Sequence, residues 1–470
     1  MSIEPIGIAT FLIGLFCLAL GNGALVPAVA MASLFGASAA LLIGAANIQP
    51  GHVVLGFLLI SVMSRGQDAR NMIRALRPGE PGFWFACLTL YGVASAFLLP
   101  RVLAGSTQIV PLGSSVYDET GSTIPLVPVS SNLTQSVYLT ANLIVFAAVA
   151  GIAARREGFV AVLAGLMAYC IGNTLFALID LATYATGTQD LLGFMRNARY
   201  TLHTDTEIAG LKRIVGSFTE ASAFARSTLG VIGFTGTLWL CGYRPALTGG
   251  VTAASLVLLV LSTSSTGLAG SPVILALLYG TALFGGSTVF GGRTRSFAIV
   301  LAPPLLLGAA LFVVLDEGTR TTVRDYVDML LLQKGNSDSG IERSSWNRIS
   351  FQNFLDTGGL GVGLGTARAS SFVVALLATV GIPGALFYAL FFTSALLQRR
   401  GVPGSFPSCV RLAARNGCFG LMIGDLLVGP VIDQGLFFCL LAAIASAYPE
   451  RDEALLRQPL PRVMPLGVRA

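Results

Sequence analysis

The chain has 470 residues, of which 54% are hydrophobic and only 11% charged, with a net charge of +6 and a mean hydropathy of +0.76. A soluble domain carries about 25% charged residues. The composition therefore excludes an ordinary soluble enzyme and predicts an all-α, polytopic transmembrane helical bundle set in a lipid bilayer.

Apolar runs of about 17–25 residues are long enough to cross a bilayer. Taken in chain order, candidate spans fall near 5–20, 23–45, 51–64, 83–103, 137–153, 158–184, 224–241, 249–263, 271–290, 297–315, 371–397, 411–428 and 433–448. They predict about 12–13 spans. The N-terminal "MSIEPIGIATFLIGLFCLAL" lacks a basic leader and an A-x-A cleavage site. It reads as a first span, not a removed signal, and forms a hairpin or broken pair with the second run. The organisation is a bundle over 1–315, a large partly helical loop over 316–370, a second part of the bundle over 371–448, and a tail over 449–470.

Orientation follows from Lys and Arg in short loops, which favour the cytoplasmic side. One set of loops, with the tail, holds 17 of the 29 basic residues, among them Arg65, Arg74, Arg155, Arg244, Arg399 and Arg457. That side is read as cytoplasmic, with the C-terminus on it. Topology then explains the basic surplus, and no nucleic acid is implied. The opposite side carries the segments 104–136, 185–223 and 316–370. None of the seven cysteines falls in these segments, so no disulfide framework is expected. The two histidines, His52 and His203, have no metal-ligand spacing around them. No D-x-D triplet stands in the outer segments, "VYDETGS" included, so neither a metal nor another cofactor is expected.

The segment 316–370 holds 13 of the chain's 52 charges. Arginine on the outer side opposes the topological bias and points to an anionic partner. "TRTTVRDYVDMLLLQ" spaces Val323, Tyr326, Val327 and Leu330 as an amphipathic helix. "IERSSWNRISFQNFL" places Ile341, Trp346, Ile349 and Phe354 roughly along one face, with Arg343 and Arg348 flanking Trp346. "TGGLGVGLG" ends that helix with glycines that permit close backbone approach, but without the spacing of a dinucleotide fingerprint. Upstream, "LKRIVGSFTEASAFARSTLG" sets Arg213, Glu220 and Arg226 at the entrance of a span, with Glu220 able to pair with Arg226. "STSSTGLAGS" reads as a small-residue helix-packing turn.

Together these stretches resemble the O-antigen ligase and polymerase superfamily of bacterial cell-envelope glycosyltransferases. The resemblance covers roughly 205–400. It rests on Arg213, Gly216 and Phe218 as an R-x-x-G-x-F turn, and on "STSSTGLAG", with Thr266 where an arginine often stands. It rests further on Arg343 and Trp346 as R-x-x-W, on Gly361, Gly363 and Gly365, and on "GIPG" at 381–384. Many ligases carry a His-Asn pair after the glycines; this chain has "ARASS", with Arg368, Ser370 and Ser371.

The resemblance implies transfer of a glycan from an undecaprenyl-pyrophosphate-linked oligosaccharide to a sugar hydroxyl, at the periplasmic face of the bacterial inner membrane. The leaving group is a lipid pyrophosphate, whose charge guanidinium forks stabilise without a metal. Arg213, Arg343, Arg348 and Arg368 are the expected donor-binding groups, with Trp346, Ser370 and the glycines Gly361, Gly363 and Gly365 shaping the site. Glu220 and then Glu342 are the expected bases, with His203 third. Other envelope polysaccharide-assembly proteins are expected partners. Without the histidine the pattern sits closer to repeat-unit polymerisation than to ligation. A transporter of anionic lipids is the rival from another class; it predicts internal repeats and mid-span charge, and neither is evident.

Overall fold

The computed structural model describes residues 2–43, 46–117, 123–198, 202–203, 206–208, 211–285, 292–328 and 338–451. The expected tail beyond Arg451, Leu330 and Lys334 in the large loop, and most of "VYDETGS" lie outside the described residues.

The chain is an all-α bundle. Its helices are α1 (Pro5–Leu20), α2 (Asn22–Ala32), α3 (Pro50–Ser64), α4 (Gly66–Ala75), α5 (Pro81–Val102), α6 (Ser131–Ala153), α7 (Arg156–Ala185) and α8 (Ala221–Leu240). They continue as α9 (Pro245–Leu261), α10 (Ser265–Phe284), α11 (Gly292–Leu315), α12 (Glu317–Val327), α13 (Asp338–Asp356), α14 (Phe372–Phe392), α15 (Phe406–Val428) and α16 (Gly435–Ser446). Strands are fragments of two or three residues: an antiparallel β1 (Ser2–Ile3), β2 (Leu41–Ile43), β3 (Ala46–Ile48) group and two small hairpins.

Among the described residues, six helices are long and apolar enough to cross a membrane: α5, α6, α7, α10, α11 and α14 with its extension to Leu397. Helices α1, α2, α3, α9 and α16 are apolar but shorter. They fall below the about 20 residues of an unaided crossing. One expected span is corrected. The run 23–45 is not a single helix; α2 stops at Ala32, and the chain returns through Phe35–Ala40 into β2 and β3. Gly21, at φ 86°, breaks α1 from α2, so the first two runs form a broken pair. The periphery is represented by α11, 24 residues long without one buried side chain, as expected of a lipid-facing span.

Two packing devices position one end of the bundle. The first joins α8 to α15 through glycines. A Cβ on Gly233 would meet the Asn416 carbonyl oxygen at 2.3 Å, and one on Gly420 would meet that of Leu229 at 2.2 Å. Backbones that close are what small residues permit between apolar helices. The approach brings Arg226 of α8 onto Asp425 of α15, with Arg226 also donating to the Gln434 carbonyl at 2.9 Å.

The second device is a repaired kink. In α14, Gly381 sits at φ 61° and Pro383 has no N–H to offer the Thr379 carbonyl. The chain after α13 supplies what the helix lacks. Gly363 N–H donates to Thr379 O at 2.9 Å, Val362 N–H to Ala378 O at 2.8 Å, and Ile382 N–H to Gly359 O at 2.9 Å. Gly361, Gly363 and Gly365 have φ of 82°, 99° and 78°. Side chains there would strike backbone atoms of α14, α5 and α6. "TGGLGVGLG" and "GIPG" are thus two halves of one joint.

Candidate functional site

A cleft of about 840 Å³ opens at one end of the bundle. Its walls come from the turn after α2, the start of α6, the segment 203–223, α13, the residues before α14, and the break between α15 and α16. Each of these belongs to the end that the arginine count places outside. Arg213, Glu220, Glu342, Arg343, Trp346, Arg368, Ser370 and His203 all line it.

Arg213 is placed by a buried knot beneath it. The fully buried Asp180, near the end of α7, accepts from Val215 N–H at 2.9 Å and Gly216 N–H at 3.0 Å. Arg196 donates to its other oxygen at 2.7 Å, and Lys212 stands 3.5 Å away. This fixes the R-x-x-G-x-F turn: Gly216 takes φ 57°, Phe218 turns toward Gly36, and Arg213 and Phe218 reach the cleft. Burial pushes the Arg213 pKa down; the Glu220 charge holds it up, and Arg343 pushes it down again. No hydrogen-bond acceptor meets its Nε among the described residues.

Glu220 stands at the N-terminal boundary of α8. It accepts from the Ser222 hydroxyl and pairs with Arg343 of α13 at 3.7 Å. The expected pairing of Glu220 with Arg226 is therefore corrected: glycine packing commits Arg226 to Asp425. Arg368 is set by a short extended contact, its N–H donating to Val110 O at 2.9 Å beside the Pro111–Ala367 bridge. Its guanidinium lies 5.0 Å from the Trp346 ring centroid, a cation–π contact. Ser370 N–H donates to the Asn347 side chain at 2.8 Å.

How α13 docks differs from expectation. Its buried positions are Ser350 and Asn353, followed by Thr357 just past its end, all polar, and Ile341 is exposed. Ser350 donates to the Arg368 carbonyl at 2.7 Å, Asn353 to Gln108 O at 2.6 Å, and Thr357 accepts from Gly361 N–H at 3.0 Å. Side chains that satisfy loop backbone groups hold this helix, because a loop offers unpaired donors and acceptors rather than an apolar surface. The helix α12 is the expected amphipathic piece; Asp316 caps it at Thr319 N–H, and Tyr326 donates to Val260 O at 2.9 Å.

Four expected site residues lie elsewhere. Arg348 is exposed and does not line the cleft. Gly361, Gly363 and Gly365 are absorbed in the α14 joint. The "STSSTGLAGS" turn also stays outside: Gly267 and Gly270 pack tightly on Leu259 and Leu229.

Sequence reasoning missed Asp433, Tyr138 and Gln135, which line the cleft. Asp433 was counted as the first residue of a span. It sits instead in the non-helical stretch Gly429–Gln434 between α15 and α16. The available signal was Pro430 followed by Gly435, which punctuate a helix. The cleft therefore holds three arginines and three carboxylates, unevenly paired. Arg343 has Glu220, whereas no carboxylate forms an ion pair with Arg213 or Arg368 among the described residues. Such an arrangement can grip an anion in one part and accept a proton in another. No protein-family model matches the chain, and no curated protein is similar to it at a significant level, so the geometry of this cleft is what bears on function.

Proposed function

We propose that this chain is a membrane glycosyltransferase that polymerises undecaprenyl-pyrophosphate-linked oligosaccharide repeat units at the periplasmic face of the bacterial inner membrane. The observation that carries the reading is the cleft itself: Arg213 and Arg368 both line it, with no carboxylate ion pair among the described residues, at one end of an apolar bundle. A lipid pyrophosphate supplies the two properties this arrangement lacks, a dense anionic group for the guanidinium forks and an apolar tail for the bilayer.

The chemistry follows from charge. As the sugar–phosphate bond breaks, negative charge grows on the pyrophosphate. Guanidinium groups fixed in advance stabilise that charge without reorganisation at the moment of reaction. Planar forks match phosphate oxygens and stay charged. Trp346 lies against the Arg368 guanidinium, its ring centroid 5.0 Å away, and offers an apolar ring to a sugar. The neighbouring Ser370 is small and leaves room for a second, acceptor chain.

The deciding experiment is a strain lacking this protein, with lipid-linked sugars and surface glycans resolved by gel. Polymerase loss leaves single repeat units and no long chains. Long chains stranded on undecaprenyl pyrophosphate would replace polymerisation with ligation. Unchanged glycans together with lost uptake or export of an anionic lipid would place the chain among transporters.

A further inference from the structure

Three carboxylates line the cleft, and their surroundings differ. Glu220 is occupied, with the Ser222 hydroxyl on one oxygen and Arg343 near the other. With a partner at each oxygen, neither stands open to an acceptor hydroxyl. Glu342 is exposed on the first turns of α13, where solvent competes for any proton. Asp433 differs from both. Its Oδ1 is fixed by two donors, the Asn142 side chain from α6 and Gly435 N–H at 2.7 Å. No donor meets Oδ2 among the described residues, and the side chain is half-buried in the cleft wall.

The backbone around Asp433 is also held. Gln434 accepts from Tyr388 at 2.8 Å, donates to Asp425 at 3.1 Å, and receives Arg226 on its carbonyl. His52 of α3 and Arg226 of α8 stand close enough to feel the Asp433 charge. A broken helix with one carboxylate oxygen anchored and the other open to a cleft is a preorganised acceptor. We infer that Asp433 is the general base of the transfer, taking the proton of the acceptor sugar hydroxyl on Oδ2.

This rests on the glycosyl-transfer reading. The acceptor oxygen bonds to the anomeric carbon, the bond from that carbon to the pyrophosphate oxygen breaks, and its electron pair leaves with the pyrophosphate. The hydroxyl proton passes to Asp433. Arginines and base thus divide the work between the two ends of one displacement.

The test uses the purified full-length chain in lipid vesicles, with lipid-linked repeat units extracted from the deletion strain. Asp433→Asn keeps an oxygen for Asn142 and Gly435 but removes the base. It should lower kcat by about 100-fold or more while leaving KM for the donor and the melting temperature near those of the wild type. Asp433→Ala should recover part of its rate with added formate. Wild-type turnover in Asp433→Asn would overturn the assignment, as would formate rescue of Glu220→Ala with none in Asp433→Ala. A wild-type chain inert on these units would remove the glycosyl-transfer reading, and this inference with it.

Discussion

The Asp180 knot and the cleft above it are both built around basic and acidic side chains, meet at residues 212 and 213, and behave oppositely. In the knot, side-chain exposure is 0% for Asp180, 7% for Arg196 and 2% for Lys212, and both carboxylate oxygens are engaged. In the cleft, Arg343 and Glu220 remain 26% and 34% exposed at 3.7 Å, and Arg213 and Arg368 form no ion pair with a carboxylate among the described residues. A saturated, dry cluster has no capacity left for a ligand. An open one with idle guanidinium groups has capacity and a reason to use it. Lys212 in one and Arg213 in the other are adjacent in the chain, so the knot anchors the edge of the cleft.

The comparison is broken most severely from below. Asp180→Asn removes the charge that buried Arg196 pairs with, and breaking a buried pair costs about 3–5 kcal/mol. Thermal unfolding in detergent should show a large loss of stability; an unaltered melting temperature would mean that the knot is not structural. From above, the expected signature reverses. Arg213→Lys and Arg368→Lys keep charge but lose the fork. Each should cost about 2–4 kcal/mol of transition-state stabilisation, on the scale of one oxyanion donor, with melting unchanged. Normal turnover in both would show that the idle guanidinium groups are merely solvated.

The sequence made the bundle legible because apolar length is a one-dimensional property; the run 23–45 failed where small residues mask a turn, the run 433–448 begins inside the break before α16, and several expected spans are shorter helices. The arginine cleft was legible in part. Arg213, Arg343, Arg368 and Trp346 lie on chain segments whose charge runs against topology, and that contradiction can be read without coordinates. The function of Gly361, Gly363 and Gly365 was not legible, because the backbone they pass against, from α14 to α5 and α6, lies in other elements, and the carbonyls that the Val362 and Gly363 N–H groups meet are freed by a kink there. The polar face of α13 was missed for a related reason. Asn347, Ser350, Asn353 and Thr357 recur at helical spacing, but apolar periodicity was the signal sought. Asp433 was hidden by its flanks, since Val431, Ile432, Leu436 and Phe437 make one apolar run across the break.

A smaller effect sharpens how the α13 loop is held. Asp356 accepts from Thr107 and Gln352, each at 2.6 Å, and these bonds lower its pKa. A lowered folded-state pKa means stability present above the unfolded value and lost as pH falls through the folded one. Asp356→Asn should therefore melt slightly below the wild type at neutral pH. The gap should shrink as pH falls below the ordinary aspartate value of about 3.9 and close only once pH passes the lower folded-state value. A gap that persists there would assign the effect to shape instead of charge.

The smallest expected effect tests the cleft's boundary. Arg348 lies one turn from Arg343 on α13 and stood beside it in the sequence pattern. The helix separates them: Arg343 turns to Glu220, whereas Arg348 is exposed and outside the cleft. Position along a helix decides this, because residues five apart are rotated by about 140° at 3.6 residues per turn. Arg348→Ala should leave kcat, KM and melting close to wild type, within the about 0.5 kcal/mol of an ordinary surface change. Arg343→Ala, five residues away, should abolish most activity. If Arg348→Ala instead lost activity as Arg343→Ala does, both faces of α13 would contact substrate. The cleft would then extend around the helix, and its walls would have to be redrawn to include the outer surface of the loop.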